Sequence, residues 1–287
     1  MRVVWLAGLV AFLAGARADA QVTIDVTVCG IEVPSGVTGV LRADLHCPDG
    51  QRAVALGIGT TLDLNGHTLS GAGVEASYGV VCTGRGAGCR IVGPGAIVGF
   101  DYCLYRAGGS TFFMSDLEIH DCGIGIFGYE TRLHATNLTV TDNHERGIEV
   151  DRVTAVDVVT SRNGDMGMLA LKVVATRLTA SDNGAYGVRA SQQLRGTDIT
   201  LSGNATSGVF GDRVVATRVV AIGNGDAGVF ARKAVLRDSD VSGNDGFQGG
   251  IDLVTSERPR LFDTTCGRSL ASSGSPFGPS WGVCAQD

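Results

Sequence analysis

The chain has 287 residues, which is enough for one large domain or two small ones. Its formal net charge is −6, and its only lysines are Lys172 and Lys233. Nucleic-acid binding depends on clustered positive charge that neutralises phosphates, so this composition predicts no nucleic-acid partner.

The first twenty residues have the composition of a secretory signal peptide. Arg2 gives a positive start, an apolar run follows, and Ala18-Asp19-Ala20 forms a small-residue cleavage site. We therefore expect residues 1–20 to be removed and the protein to be secreted, periplasmic or on the cell surface. The apolar run is too short to span a bilayer comfortably. No membrane span is expected after cleavage.

Eight cysteines lie in the predicted mature chain, and an even number in an exported protein indicates disulfide bonds. Many connectivities are open, and the spacing gives only a preference. Metal binding is the alternative, but the sequence has no C-x-x-C pair and no histidine at ligand spacing, so no metal or cofactor is predicted from these residues. The preferred pairs are Cys29–Cys47, Cys82–Cys89, Cys103–Cys122 and Cys266–Cys284.

The stretch LDLNGHTLSG, residues 62–71, contains a histidine beside a turn signal. Its leucines are spaced like the core residues of strands, and Asn65-Gly66 is a dipeptide typical of turns. We interpret the stretch as a turn between two strands. The alternative is a catalytic loop that uses His67.

The central region repeats with a period of about 20 residues. An asparagine recurs at spacings of 20, 20, 21, 20 and 20, and a glycine follows each of the first five asparagines four residues later. Apolar residues alternate around these positions with period two, which is the pattern of strands. The period is shorter than that of helical solenoids, so it predicts stacked coils of short strands. The recurring asparagines are Asn143, Asn163, Asn183, Asn204, Asn224 and Asn244.

We interpret the asparagines as a structural ladder, in which each amide bonds to the next coil and to the turn backbone. Asparagine also tolerates the left-handed backbone that a sharp turn requires. A row of ligand-binding amides is the alternative. In the last repeat we assign the position of the repeat glycine to Gly250. In the coil between Gly79 and Gly125 we assign this position to Tyr102.

The pattern N-x-x-x-G-[IVM]-x-[VAL] resembles the repeat of right-handed parallel β-helix proteins of the pectate-lyase-like superfamily. LDLNGHTLSG resembles the first-coil signature of many secreted bacterial proteins in that group. The resemblance covers roughly residues 54–253. It implies an all-β, right-handed parallel β-helix of about nine coils at residues 59–253, with caps at 21–58 and 254–287. It implies little about activity, because the fold hosts lyases, hydrolases, epimerases and adhesins.

In the carbohydrate enzymes that this fold resembles, the outer face of the first sheet holds the saccharide. Rings stack on sugars and charges pair with uronates or hydroxyls, whereas an apolar stripe without a ligand is the alternative. Two residues after the glycine position, the predicted outward column is Val81, Leu104, Phe127, Glu149, Leu169, Arg189, Phe210, Phe230 and Asp252. The carbohydrate-binding candidates among them are Phe127, Arg189, Phe210, Phe230 and Asp252.

A group of charged residues is the candidate catalytic site. Glu149 and Asp151 are two apart on one strand and point to the same side, with Glu130 one coil earlier. Such carboxylates act as acid and base or nucleophile in glycoside hydrolysis, and Lys172 or Arg189 could abstract a proton in a lyase. The three acids could also hold Ca²⁺. The alternative is a solvated turn edge.

Two functions follow from these patterns. The first is a monomeric, exported, non-enzymatic module that binds polysaccharide. The alternative is a polysaccharide lyase, hydrolase or epimerase. The Asp-Pro-His-Asp signature of alginate epimerases and the paired-aspartate and Gly-His-Gly motifs of polygalacturonases are missing, and the coils are narrow and regular, which favours binding.

Overall fold

The structure is a computed structural model. It describes residues 22–287 except 49, 74, 85, 87, 107, 246–249 and 273–277. The predicted signal peptide at residues 1–20 lies outside the described residues. In the part of the chain that is described, no helix has the length and apolar character needed to cross a bilayer.

The described chain consists of strands and turns. Eleven short strands come first: β1 (Thr23–Val26), β2 (Ile31–Val33), β3 (Thr38–Leu41), β4 (Leu45–Cys47), β5 (Arg52–Leu56), β6 (Thr61–Asp63), β7 (Thr68–Gly71), β8 (Tyr78–Cys82), β9 (Cys89–Val92), β10 (Ala96–Val98) and β11 (Tyr102–Arg106). Seven longer strands pass through corners: β12 (Thr111–His120), β13 (Ile124–Thr141), β14 (Ile148–Ser161), β15 (Met168–Thr179), β16 (Val188–Thr200), β17 (Val209–Val220) and β18 (Val229–Arg237). Five short strands follow: β19 (Asp240–Val241), β20 (Leu253–Thr255), β21 (Arg260–Phe262), β22 (Thr265–Cys266) and β23 (Ser269–Ala271).

The strands stack in register into three parallel sheets. Sheet A contains β2, β5, β8, β11, the first parts of β13–β18, β20 and β23. Sheet B contains β1, β3, β6, β9, the first part of β12, the second parts of β13–β18, and β21. Sheet C contains β4, β7, β10, the last parts of β12–β17, β19 and β22. Successive coils lie about 4.8 Å apart, the ordinary spacing of hydrogen-bonded strands.

The chain is therefore a right-handed parallel β-helix, as predicted, with about eleven turns rather than nine. The difference arises because the segments predicted as caps contribute coil strands. For example, β3 pairs with β6, and β5 pairs with β8. These segments lack the asparagine and glycine signature, so the repeat did not reveal them.

The core is a set of apolar columns that run the length of the solenoid. The inward positions are buried in every sheet, as the alternating pattern predicted. Each buried aliphatic side chain contributes roughly 1.5–3 kcal/mol relative to exposure. One such column, five residues before each of the first five ladder asparagines, is Leu138, Val158, Leu178, Ile199 and Val219.

The stretch at residues 62–71 is a turn between β6 and β7, which confirms the prediction. Its leucines are buried, and Asn65 and Gly66 have left-handed backbone with φ of 49° and 83°. His67 Nδ1 lies 3.4 Å from the Asp44 carboxylate on the neighbouring coil.

The predicted asparagine ladder is present, and its amides are buried. The Asn183 side-chain oxygen accepts from the backbone N–H and the amide of Asn163, at 3.1 and 3.0 Å. The Asn183 amide donates to Asn204 Oδ1 and to the Thr160 carbonyl, at 2.9 and 3.2 Å. The left-handed position is not the asparagine but the residue before it, for example Asp182 with φ of 57°.

The repeat glycines are required because the backbone and the ladder amide of the next coil lie too close for a side chain, not because their backbone is left-handed. A Cβ on Gly167 would lie 2.6 Å from the Gly187 carbonyl oxygen and 2.8 Å from Asn183 Nδ2. Gly147 and Gly187 are confined in the same way. The glycine and the asparagine therefore recur together, because the ladder fills the space that a side chain would need.

The ladder ends at Asp252. Its Oδ1 accepts from the backbone N–H and the amide of Asn244, at 2.9 and 3.0 Å. Its Oδ2 accepts from the backbone N–H groups of Gly267 and Arg268, at 2.6 and 3.1 Å. A carboxylate suits this end because it only accepts hydrogen bonds, and here all the neighbouring groups donate.

Ion pairs link successive coils at the corner between sheets B and C. Arg177 pairs with Asp157, and Arg218 pairs with Asp198. Hydrogen bonds from these arginines lower the pKa of both carboxyls. The pairs are exposed, so each contributes little to stability.

All four preferred disulfides are formed. The Cα atoms of the bonded cysteines lie 5.0–6.2 Å apart, within the usual range. Disulfides of this number are typical of exported proteins.

Asp287 ties the C-terminal segment to sheet A, and we expect this tie to weaken in acid. Partial burial raises the pKa of its carboxyl, but hydrogen bonds from Ser269, Cys284 and Val283 outweigh burial and lower it to about 2. Because the folded pKa is depressed, the stabilisation is present above about pH 4 and is lost as the pH falls towards 2.

The expected size is about 1 kcal/mol after allowance for solvent screening. Thermal midpoints of wild type and Asp287→Asn should therefore differ at pH 6 and converge near pH 2. A difference that stays constant over this range would contradict the assignment.

Candidate functional site

The outer face of sheet A carries the predicted column with one shift of register. Tyr102 pairs with Tyr78 and Leu104 pairs with Val80, so Cys103, not Tyr102, takes the glycine position. Leu104 is consequently buried, and Tyr105 takes the outward position in register with Phe127. The corrected column is Val81, Tyr105, Phe127, Glu149, Leu169, Arg189, Phe210, Phe230 and Val254.

Asp252 does not lie on this face, and its assignment as a carbohydrate-binding residue was wrong. It is 2% exposed and forms the end of the ladder. Because Leu253 pairs with Val229, Asp252 rather than Gly250 takes the glycine position in the last repeat. Val254 is the outward residue of that coil.

Four rings form an aromatic cluster on the outer face of sheet A. Tyr78 stacks on Tyr102 with centroids 5.6 Å apart, and Tyr105 stacks on Phe127 at 5.7 Å. Edge contacts of 4.9–5.5 Å join the two stacks. All four side chains are only partly buried. They form a half-exposed aromatic platform, defined here as Tyr78, Tyr102, Tyr105 and Phe127.

A second ring group lies at the other end of the same face. Phe210 and Phe230 stack at 5.1 Å, and Tyr186 contacts Phe210 at 5.4 Å. The Arg189 guanidinium lies over the Phe210 ring, 5.6 Å from its centroid. Phe127, Arg189, Phe210 and Phe230 therefore share the face on which they were predicted.

An ion-pair group separates the two sets of rings. Arg146 pairs with Glu149 and, at 3.1 Å, with Asp165 on the next coil. A shallow cavity of about 220 Å³ beside it is lined by Phe127, Tyr129, Glu149, Asp151, Leu169, Leu171, Ser191 and the backbone between them.

The catalytic candidates are only partly brought together. Glu149 and Asp151 share the cavity, but Glu130 is at the corner between sheets A and B, where its φ is 53°. Lys172 lies on sheet B, in register with Arg152, and so is on a different face from Glu149. The prediction that Lys172 joins these acids was therefore wrong. The strands turn the corner within three residues, which sequence spacing did not reveal.

Glu130, Glu149 and Asp151 are not arranged as a set of metal ligands in the described part of the chain. Within the described ranges, no group of three or more His, Cys, Asp or Glu side chains is arranged to hold a metal ion. The Glu149 carboxylate is instead engaged by Arg146.

One acid beside the aromatic platform, Asp101, was missed by the sequence analysis. Partial burial is the larger cause that raises the pKa of Asp101, and the negative charge of Glu145 raises it further. Burial is the largest cause that raises the pKa of Tyr102, and the negative charge of Asp101 is the next largest. The repeat pattern does not mark Asp101, because the coil that contains it lacks the ladder asparagine.

A larger concavity lies elsewhere, along the corner between sheets B and C. It has a volume of about 580 Å³, and Asp157, Arg177, Asp198 and Arg218 line it. Their charges are already paired with one another, and no aromatic ring lines it. We therefore place the candidate site on sheet A, where half-exposed rings and the Arg189 cation lie in one column.

No protein-family model and no curated protein matches the sequence. Two similar solved structures are parallel β-helices. The A-module of mannuronan C-5 epimerase AlgE4 from Azotobacter vinelandii matches with a TM-score of 0.51 and 15% identity, over 84% of this chain and 81% of that chain. Pectate lyase Pel9A matches with a TM-score of 0.51 and 15% identity, over 84% of this chain and 71% of that chain. The chain therefore has the right-handed parallel β-helix fold of the pectate-lyase-like proteins.

Proposed function

We propose that this protein is an exported, non-enzymatic module that binds polysaccharide on the outer face of sheet A. The observation that carries the proposal is the aromatic platform of Tyr78, Tyr102, Tyr105 and Phe127. Half-exposed rings offer apolar faces to sugar rings, and tyrosine hydroxyls offer hydrogen bonds.

The length of the face favours a chain rather than a single sugar. Tyr105 and Phe230 are six coils apart through the in-register positions of sheet A, so the rings at its two ends are far apart. Arg189 between them supplies a cation that can pair with a uronate carboxylate or bond to hydroxyls. The two similar structures are named as an epimerase of mannuronan and a pectate lyase, which supports a polysaccharide ligand.

An enzymatic function is the second candidate, favoured by one observation. The raised pKa of Asp101 keeps its carboxyl protonated to a higher pH than usual, beside Tyr102 of the aromatic platform. A protonated acid next to a bound sugar is what a polysaccharide lyase, hydrolase or epimerase would use. The Glu149 carboxylate suits this role less well, because Arg146 occupies it.

The experiment compares binding and product release over a panel of neutral and acidic polysaccharides. We expect the double variant Tyr105→Ala, Phe127→Ala to weaken binding of the neutral members by roughly 5- to 30-fold, because stacking on these rings does not require a charged ligand. Phe262→Ala is the matched control, since its ring is exposed but lies on sheet B under Arg237.

The outcomes separate the two candidates. Binding without product release from any member supports the module, whereas turnover that Asp101→Asn abolishes supports an enzyme. Equal losses in the double variant and in Phe262→Ala would overturn the assignment to sheet A.

A further inference from the structure

Sheet B carries cations in register on successive coils. Arg132 pairs with Arg152, and Arg152 pairs with Lys172, as direct neighbours across the sheet. On the next coil the position is Gln193, but Arg195 lies two residues further along the same outward side. We call this set the basic column: Arg132, Arg152, Lys172, Arg195, Arg213 and Lys233.

The basic column has almost no counter-charge. From Arg132 to Arg237, the outward positions of sheet B contain no Asp or Glu. Lys233 lies 3.4 Å from Glu257. Among the described residues, no carboxylate is within ion-pair distance of the other five members, including Glu130 and Asp151 at the adjoining corner.

Five other arginines on the coils pair with acids. Arg146, Arg162, Arg177, Arg218 and Arg232 each bond to an aspartate. The basic column is different, and like charges directly opposite each other on neighbouring strands are destabilising. The basic column is a row of like charges that opposes folding, in a protein whose net charge is −6. Such a row is expected where function requires it.

The geometry points to a linear ligand. One cation per coil repeats about every 4.8 Å along the solenoid axis, with Arg195 offset by two residues from the line of the others. A polyuronate carries one carboxylate per sugar, so its charges repeat on a comparable scale. The column runs along the outer face of sheet B, which suits an extended chain.

The outward position two residues further along sheet B carries ring contacts at the N-terminal end of the basic column. Phe113 stacks on His134 with centroids 5.3 Å apart, and the Arg90 guanidinium lies 5.2 Å from the Phe113 centroid. A sugar chain that follows the basic column would therefore meet a ring at one end.

We propose that the basic column is a second ligand site, which binds a linear polyuronate along the outer face of sheet B. It is separate from the aromatic platform, which lies on sheet A, and it does not depend on the function proposed for that platform. Duplex nucleic acid is the less favoured polyanion, because its phosphates surround a thick cylinder and the net charge of the protein repels it.

The test uses polygalacturonate, with neutral dextran and duplex DNA for comparison. We expect the triple variant Arg132→Gln, Arg152→Gln, Lys172→Gln to bind polygalacturonate about tenfold more weakly or worse, and to show a smaller dependence on salt. Its thermal midpoint should not fall, because the substitutions remove repulsion between neighbouring coils. The matched control is Arg162→Gln, Arg177→Gln, Arg218→Gln, which changes the net charge equally but removes paired cations.

The control should stay within about twofold of wild type, since its cations are already neutralised. Failure of wild type to bind polygalacturonate, or equal losses in both triple variants, would overturn the proposal. Tighter binding of duplex DNA than of polygalacturonate would overturn the ligand assignment. Loss of binding only in Tyr105→Ala, Phe127→Ala would place the polyuronate on sheet A and also refute this site.

Discussion

Replacing Asn183 with leucine is expected to lower the free energy of unfolding by about 2–4 kcal/mol. The change removes the acceptor for the backbone N–H of Asn163 and the donor to the Thr160 carbonyl. Both groups are buried in the middle of the ladder, where water does not replace the lost partners. Urea unfolding followed by circular dichroism would measure the effect.

Asp182→Asn is the control for this substitution. Asp182 is exposed and adjacent to Asn183, and asparagine tolerates its left-handed backbone, so the change should cost less than about 0.5 kcal/mol. Alanine would be a poorer control, because it adds backbone strain at this φ. Similar losses in Asn183→Leu and Asp182→Asn would refute the structural role of the ladder.

Replacing Asp252 with alanine is expected to cost about 3–5 kcal/mol, mainly at the C-terminal end of the solenoid. The carboxylate accepts four hydrogen bonds, from Asn244, Gly267 and Arg268. Without it, the last ladder amide loses its acceptor and the segment from β22 to β23 loses an attachment to the coils. Hydrogen exchange should therefore accelerate at residues 253–271 and much less at β14 or β15.

Two further substitutions make this result specific. Asp252→Asn should be intermediate, because it keeps an oxygen for Asn244 but turns an amide towards the N–H groups of Gly267 and Arg268. Asp245→Ala, at an exposed position one residue after Asn244, should leave exchange unchanged. Uniform acceleration along the whole solenoid in Asp252→Ala would contradict a local role at the ladder end.

The sequence predicted the fold where the repeat is physically constrained. Gly167 and Asn183 recur together because a side chain on the glycine would collide with the ladder amide, so the pair marks each coil. The predicted register was wrong where that constraint is absent. Cys103 takes the glycine position in a coil without a ladder asparagine, and Asp252 takes it where the ladder stops.

These register errors affected the candidate site directly. Leu104 was expected outward and is buried, whereas Tyr105 was missed although it stacks on Phe127. Lys172 was placed with Glu149, although the corner between them puts it on sheet B. Spacing along one strand does not show where the chain turns, so the distribution of side chains among the three faces required the structure.

The most direct test of the central proposal is to observe the ring resonances of the protein during titration with a neutral polysaccharide fragment that binds, since the basic column is specific for acidic chains. Side-chain spectra of Tyr78, Tyr102, Tyr105 and Phe127 report on the aromatic platform, and Phe262 reports on another face. The proposal predicts saturable shifts of the platform rings, with Phe262 unchanged. Saturable binding that leaves all four platform rings unperturbed would contradict it.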